Sequence, residues 1–170
     1  MRWFWGFIGI LLAGAWGGCN PFAPALEDMD VWSALAGDPR TVDGFFKRFQ
    51  YAYEVRDISL YETLLDSSFV FIYYDFNAQI ERQWGFAQEL RVTRRLFDES
   101  SLIRLQWNQR IAQDVIPEQT KARVVRSFSL TVALQNGEVF RGDGNVNFLL
   151  ARPDTLSPWR LLRWRDESTF

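Results

Sequence analysis

The chain has 170 residues, with 19 basic and 21 acidic side chains and a formal net charge of −2 at pH 7. This balance gives no electrostatic argument for nucleic-acid binding, which draws mainly on clustered positive charge. The sequence has no histidine and a single cysteine, which excludes Ser-His, Cys-His and histidine–metal sites as well as an internal disulfide. Any chemistry would depend on carboxylates, tyrosines, lysines or arginines, and neither a metal nor a cofactor is expected.

The first segment is a nearly uncharged run from Trp3 to Gly18. As a helix, its 16 residues would span about 24 Å, which is short of a hydrocarbon core of about 30 Å. A short apolar run that follows Arg2 and ends in small residues is typical of a secretory signal. Gly17 and Gly18 directly precede Cys19, the only cysteine of the chain.

These residues resemble the lipobox of bacterial lipoproteins, although Trp16 stands where that family usually has an aliphatic residue. The resemblance implies cleavage between Gly18 and Cys19 and a diacylglyceryl group on the Cys19 sulfur. Asn20, and not an aspartate, follows the cysteine, which favours the outer membrane, facing the periplasm, in a host that sorts as enteric bacteria do. An uncleaved anchor and an ordinary signal peptide with an incidental cysteine are the alternatives.

The sequence therefore divides into a signal peptide over residues 1–18, a lipidated cysteine and tether over 19–37, and one domain over 38–170. The tether prediction depends on Asn20 to Asp30, where two prolines and three acidic residues have the composition of a solvated linker. Residues 19–170, which remain after the signal peptide, are long enough for one domain that buries roughly two-thirds of its unfolded surface.

Two helices are predicted at the start of the domain. The first begins at Asp38-Pro39, an N-cap acceptor followed by proline, and ends near residue 56. Its apolar residues recur at helical spacing, which favours one buried face. The second runs from Ser59 to residue 65, because Ser59 and Glu62 have the spacing of a capping box.

A strand, a loop and a third helix follow. Residues 69–74 are aromatic and β-branched, which is typical of a strand. A loop is predicted over residues 75–81, and an amphipathic helix over 83–98. The residues expected on the buried face of this helix are Phe86, Ala87, Leu90 and Phe97.

Beyond Ser100 the hydrophobic period changes to two, which predicts four long strands. Asn136-Gly137 indicates a tight hairpin between the second and third of them. Because each strand has one apolar and one polar face, we expect an antiparallel meander that the helices cover on one side. The strands are centred on residues 103–107, 124–134, 140–150 and 159–165.

This order of elements resembles the NTF2-like superfamily over residues 41–167. The resemblance is carried by the helix pair Phe45–Leu65 around Arg56-Asp57, the lead-in Leu64–Asp66 to the first strand, and the closing segment Trp159–Asp166. It implies an α+β cone, with three N-terminal helices packed on a curved, mainly antiparallel sheet and a cavity at the wide end. Some members catalyse isomerisation, dehydration or epoxide opening on small hydrophobic molecules, and many only bind ligands or partners.

The steroid-isomerase branch of that superfamily has a carboxylate base near the end of its first strand. Tyr73 stands at that place here, and Asp75 lies two residues further on the same strand face. The dehydratase branch needs a histidine, which this sequence lacks. Neither chemistry is therefore favoured.

Arg126 is an unexpected charged residue, because alternation places it on the apolar face of its strand. An isolated buried charge costs several kcal/mol, so its expected partner is Asp75, Glu89 or an anionic ligand. The alternative is a strand-end arginine whose guanidinium extends to water.

Aromatic residues line the expected cavity or belong to the core around it. Phe49 and Trp164 are predicted to pack into one shared core. Gly142-Asp143-Gly144 is followed by strand rather than helix, so it predicts a strand bend or bulge and no phosphate loop. The full set of candidate ligand-pocket residues is Tyr53, Tyr73, Asp75, Trp107, Arg126 and Trp164.

Two functions from different classes remain. The first is a membrane-tethered envelope lipoprotein that binds a small apolar or amphipathic ligand, or a protein partner, without catalysis. The second is an isomerase- or hydrolase-type enzyme that uses Asp75 with Tyr73 and Arg126. The missing histidine and the substituted base favour the first. Its expected partners are the membrane, through the lipid, a small hydrophobic ligand or an envelope protein, and a second copy in a homodimer.

Overall fold

The computed structural model describes residues 37–116 and 118–167. The predicted signal peptide, Cys19 and nearly all of the tether lie outside these residues. Within the described part, no helix combines the length and the hydropathy that crossing a membrane requires. The elements in chain order are α1 (Val42–Val55), α2 (Ile58–Leu64), β1 (Leu65–Asp75), β2 (Ile80–Gly85), α3 (Phe86–Glu99), β3 (Ser100–Val115), β4 (Lys121–Leu134), β5 (Val139–Ala151) and β6 (Arg160–Asp166).

Helix α1 begins later than predicted. Its N-cap is Thr41, whose side chain accepts a hydrogen bond from the Gly44 N–H at 3.0 Å. Asp38 instead accepts a hydrogen bond from the Arg40 N–H at 2.9 Å, within a turn that precedes the helix. The predicted cap at Asp38 was therefore wrong, because its carboxylate is used inside that turn. The helix ends at Arg56, which has a left-handed φ of 58°.

Helix α2 begins at an aspartate and not at the predicted serine. Asp57 is the N-cap, and its carboxylate accepts hydrogen bonds from the N–H groups of Ser59 and Leu60 at 2.9 and 3.0 Å. These contacts satisfy two of the amides that a helix leaves unpaired at its N-terminus. The capping box predicted at Ser59 was wrong, since Ser59 already lies within the first turn.

The segment predicted as a loop over residues 75–81 closes a β-hairpin. Asp75 accepts hydrogen bonds from the N–H groups of Asn77 and Ala78 at 3.1 and 3.0 Å, and these contacts close the turn. Strand β2 then pairs antiparallel with β1 and includes the first residues assigned to the third helix. The strand was missed because it lies at the sheet edge, where its side chains are mostly exposed and carry no apolar alternation.

Helix α3 buries most of the predicted face, since Phe86 and Leu90 are partly buried against the core. Phe97 is buried, as expected, while Ala87 is exposed. Two polar residues, Glu89 and Thr93, are 3% and 2% exposed and occupy the centre of the buried face. Hydrophobic spacing gave no signal for them, because their burial depends on hydrogen-bond partners from other elements.

The six strands form one mixed, curved sheet in the order β2-β1-β6-β5-β4-β3. Strands β3 to β6 form the predicted antiparallel meander, with Gly137 at a left-handed φ of 92° in the turn between β4 and β5. Strand β6 then pairs in parallel with β1. The three helices cover the inner face, which confirms the predicted α+β architecture.

Phe49 of α1 is at the centre of the core and is 1% exposed. Trp164 of β6 is partly buried and packs against it with ring centroids 5.8 Å apart. The predicted shared core is confirmed for Phe49 and holds in part for Trp164. Burying one such side chain contributes about 1.5–3 kcal/mol. Five rings surround Phe49 with centroid distances from 4.9 to 5.8 Å, namely Tyr53, Tyr61, Trp107, Phe148 and Trp164.

A candidate ligand cavity

A cavity of about 230 Å³ lies between α1, α3 and the inner face of strands β3 to β6. The surface of the cavity is mostly apolar, since every lining residue except Gly142 and Asp166 is aliphatic or aromatic. Such a lining favours an apolar ligand. The aliphatic and aromatic residues are Phe49, Tyr53, Leu96, Leu105, Trp107, Phe128, Leu130, Val146 and Trp164.

Two glycines of β5 help to create this space. Gly142 pairs with Leu130 and Gly144 pairs with Phe128 across the β4–β5 ladder. Cross-strand partners lie on the same face, so both glycines lie on the inner face with these two lining residues. Because glycine has no side chain, the inner face of β5 is open at this end. The register is continuous here, so the bulge predicted at Gly142-Asp143-Gly144 was wrong.

One carboxyl group lines the cavity, and it belongs to Asp166 at the end of β6. Asp166 pairs with Val146 of β5 and lies two residues beyond Trp164, so all three share the inner face. Sequence reasoning looked for a carboxylate at the end of the first strand and missed this one. Alternation from Trp164 was the signal that could have found it.

A buried polar cluster around Glu89 lies behind the cavity wall. Glu89 Oε1 accepts hydrogen bonds from the Tyr61 hydroxyl at 2.7 Å and from the Thr93 hydroxyl at 3.1 Å. Glu89 Oε2 accepts one from the Trp84 indole N–H at 2.6 Å. Tyr61 is also hydrogen-bonded to Tyr53, which lines the cavity. Three donors offset the cost of burying the carboxyl group, and the cluster fixes the position of Tyr53.

The two phenols of this cluster are neutral at ordinary pH. Burial is the largest effect that raises the pKa of Tyr53, and the nearby Glu89 raises it further. Burial likewise raises the pKa of Tyr61 well above its usual range. Tyr53 is therefore a neutral phenol in the wall of the cavity, and its hydroxyl group is hydrogen-bonded within the cluster, to Tyr61 and Thr93.

No family model matches the sequence, and no curated protein matches it. Solved structures do match the fold. A protein of the NTF2-like superfamily from Salmonella enterica is 17% identical with a TM-score of 0.59, over 74% of this chain and 87% of its own. A scytalone dehydratase candidate from Novosphingobium aromaticivorans is 11% identical with a TM-score of 0.65, over 77% of this chain and 83% of its own. The fold is NTF2-like. At these identities the likeness concerns the fold alone.

The NTF2-like domain brings three of the six predicted pocket residues together. Tyr53, Trp107 and Trp164 all line the cavity. Tyr73 is on β1 outside the lining, where its ring packs against Phe71 and Trp84 with centroids 5.9 and 5.2 Å away.

Asp75 also lies outside the lining of the cavity. Its carboxylate closes the β1–β2 turn and accepts a hydrogen bond from Arg82 Nε at 2.7 Å. The hydrogen bond from the Ala78 N–H and the one from Arg82 lower the pKa of Asp75, so it is a weak base. Across the described residues, no three carboxylate or cysteine side chains are grouped to hold a metal ion.

Arg126 lies on the inner face, at a second concavity that we call the basic cleft. The cleft has a volume of about 430 Å³. The Arg126 guanidinium carbon is 5.0 Å from the centroid of the Phe46 ring, and its Nη1 is 3.8 Å from Asp43 Oδ1. Neither Asp75 nor Glu89, the two partners considered, is its ion-pair partner in the described structure. The residues that line the basic cleft are Asp43, Phe46, Lys47, Gln50, Trp107, Arg110 and Arg126.

Proposed function

We propose that this chain is a lipid-anchored envelope protein whose NTF2-like domain binds a small apolar or amphipathic molecule without converting it. The observation that carries this proposal is the cavity of about 230 Å³ with its aliphatic and aromatic lining. Drug-sized ligands usually occupy pockets of about 300–1,000 Å³, so the apolar part of the ligand is small, of the order of one or two rings. An engineered apolar cavity of about 150 Å³ in another protein holds benzene.

The polar groups around the cavity support binding rather than chemistry. The Glu89 carboxyl group is buried and already accepts three hydrogen bonds. Tyr53 is a neutral phenol whose hydroxyl group is already hydrogen-bonded within the cluster, whereas the buried Trp164 Nε1 has no partner in the described structure and can donate to a ligand. The ligand would gain affinity mainly from removing its apolar surface from water, with the Trp164 indole N–H supplying orientation.

The binding proposal is tested with a neutral naphthalene-type fluorescent probe and a lipid-free form that begins at Asn20. Leu130→Trp places a large side chain in the cavity and should abolish probe binding. Thr131→Trp is the matched control, because Thr131 is the next residue on β4 and alternation directs it to the outer face. Equal binding by the two variants would contradict the proposal.

A second candidate function is an isomerase- or hydrolase-type enzyme, and Asp166 is the observation that favours it. Its carboxyl group lines the same cavity as Tyr53 and Trp164. Asp166, and not Asp75, would then be the base. Asp166→Asn separates the two candidates: loss of turnover with retained ligand binding would establish catalysis, whereas the binding proposal predicts no turnover in either form.

The membrane anchor is a separate part of the proposal, and it rests on the resemblance of Gly17-Gly18-Cys19 to a lipobox. We propose that the lipid on Cys19 holds the domain at the outer membrane, facing the periplasm, close to envelope proteins. Cys19→Ala should leave an unlipidated precursor that no longer partitions into detergent. An unmodified Cys19 in mature protein from the native host, detected by mass spectrometry, would contradict the anchor and leave the cavity proposal intact.

A further inference from the structure

The basic cleft contains more cationic than anionic groups. Lys47, Arg110 and Arg126 line it together with a single carboxylate, Asp43. The same oxygen, Asp43 Oδ1, is the nearest carboxylate atom to both arginines, at 2.5 Å from Arg110 Nη2 and 3.8 Å from Arg126 Nη1. The first distance is a hydrogen bond and the second is too long for one. Asp43 therefore pairs with Arg110 and leaves Arg126 without a close counterion among the lining residues.

The strand ladder forces the two arginines together. Arg110 of β3 and Arg126 of β4 are direct cross-strand partners, and like charges directly opposite each other are destabilising. The ladder is irregular on both sides of Arg110, with register shifts between Trp107 and Arg110 and between Arg110 and Ala112. Bulges of this kind re-aim a side chain and are over-represented next to functional sites.

Arg126 is held in place but incompletely hydrogen-bonded. Its side chain is 19% exposed, and its buried Nε has no hydrogen-bond partner in the described structure. The guanidinium lies over the Phe46 ring, and Phe46 is itself fixed because its carbonyl accepts a hydrogen bond from the Trp107 indole N–H at 2.9 Å. Burial is the main effect that lowers the pKa of Arg126, and the neighbouring Arg110 adds to it.

We propose that the basic cleft binds an oxyanion, a carboxylate or a phosphate, between the guanidinium groups of Arg126 and Arg110. The oxyanion would accept charge-assisted hydrogen bonds from both arginines and relieve their mutual repulsion. Asp43 is the group it must displace, and its side chain is 60% exposed, so the carboxylate can move into water. Lys47, one helical turn beyond Asp43 on α1, adds a further positive charge at the rim.

The oxyanion is either free or the head of a ligand whose apolar part enters the central cavity. Trp107 is in the walls of both the cleft and the cavity, which makes a shared ligand geometrically reasonable. This second source rests on the proposed function, whereas the oxyanion site itself does not. The experiment separates the two.

The test uses the full chain in a neutral detergent, with ¹⁵N-labelled arginine side chains observed by NMR. Inorganic phosphate and acetate are titrated at constant ionic strength set with chloride. The expected result is a saturable shift of the Arg126 and Arg110 Nε–H signals. Arg126→Met should weaken phosphate binding by about tenfold or more, because it removes a charge-assisted donor. Arg141→Met, an exposed arginine on β5, is the charge-matched control and should leave binding within about twofold.

A variant that is expected to strengthen phosphate binding makes the test more specific. Asp43→Asn removes the competing carboxylate and should tighten phosphate binding by about threefold. Lys47→Met changes only an exposed side chain of α1, so it keeps the test decisive if Arg126→Met fails to fold, and it should weaken binding by about threefold. Equal phosphate affinities in Arg126→Met, Lys47→Met and Arg141→Met, or no saturable shift, would overturn the proposal.

Comparison of acetate with 4-phenylbutanoate identifies the source of the oxyanion. Tighter binding of 4-phenylbutanoate that Leu130→Trp abolishes would show a ligand head with its apolar part in the cavity. Equal affinities for the two would show a free anion. Both results support the oxyanion site, and only the second would speak against a ligand shared with the cavity.

Discussion

The central cavity and the basic cleft share Trp107 in their walls, and the polar cluster behind the cavity differs from the cleft in how its charged group is satisfied. Behind the cavity wall, three donors of the fold itself converge on the Glu89 carboxyl group. In the cleft, the guanidinium of Arg126 has a buried Nε without a partner and a carboxylate no closer than 3.8 Å. The comparison shows that the buried carboxyl group behind the wall is satisfied by the protein itself. Two groups that border the concavities, Arg126 Nε and Trp164 Nε1, have no partner in the described structure and keep hydrogen-bonding capacity for a ligand.

The largest expected effect concerns the wall of the cavity. Phe49→Ala should lower the free energy of unfolding by about 3–5 kcal/mol, because Phe49 is fully buried and contacts five aromatic rings. Denaturant unfolding measures it. Phe140→Ala is the control, since Phe140 is 56% exposed and should change stability by about 0.5 kcal/mol or less. Similar losses of unfolding free energy in the two variants would contradict the central packing of Phe49.

The next effect tests whether the cluster around Glu89 is satisfied as a unit. Glu89→Leu should destabilise the fold by about 3 kcal/mol or more, because it leaves the donors of Tyr61, Trp84 and Thr93 without their acceptor. Glu89→Gln keeps an acceptor oxygen and should cost less. Glu62→Leu, at an exposed position of α2, is the surface control. A Glu89→Leu variant as stable as this control would contradict the cluster.

A smaller change is expected in the basic cleft. Arg126→Met should change the free energy of unfolding by about 1 kcal/mol at most, or raise it, because an apolar residue often replaces a partly buried charge without loss. The Phe46 ring remains available to pack against the methionine side chain. Thermal unfolding in phosphate-free buffer measures it. A loss as large as that of Phe49→Ala would show that Arg126 serves the fold and not a ligand.

The smallest effect concerns Asp75, whose pKa is lowered by hydrogen bonds from the Ala78 N–H and from Arg82. A lowered pKa means that the ionised form stabilises the folded state. This stabilisation is present above the ordinary value of 3.8 and is lost as the pH falls through the lowered value. The melting temperatures of the wild type and Asp75→Asn should differ at neutral pH and converge below pH 3.8. A constant difference would contradict this, and Asp114→Asn on β3 is the control.

Much of the fold could be predicted from the sequence, because the signals for it are local. The alternation after Ser100 predicted β3 to β6, and Asn136-Gly137 predicted their central hairpin. Local signals failed where a neighbouring residue occupies the cap position. Asp38 and Ser59 both have cap-like patterns, yet Thr41 and Asp57 are the caps. More than one residue near each helix start has a side chain that could cap it, and the contacts made in the folded protein decided which one does.

The candidate site was less predictable. Tyr53, Trp107 and Trp164 line the cavity as expected, because large apolar residues on inward faces tend to meet. Asp166 and Glu89 were missed as site residues, although strand alternation indicated the face of Asp166. The carboxylate nearest to Arg126 was also missed, because Asp43 lies 83 positions earlier in the chain and only the packing of α1 against the sheet brings it close.

The sequence by itself determined which chemistries are absent and which faces of the long strands are apolar, because both depend only on residue type and spacing. It also predicted an NTF2-like arrangement of helices and strands. Only the tertiary structure decided where charge remains unsatisfied. The parallel pairing of β1 with β6, the glycines of β5 opposite large side chains and the facing arginines of β3 and β4 all join distant parts of the chain. Cavities and charged clefts arise from such juxtapositions, and no local pattern specifies them.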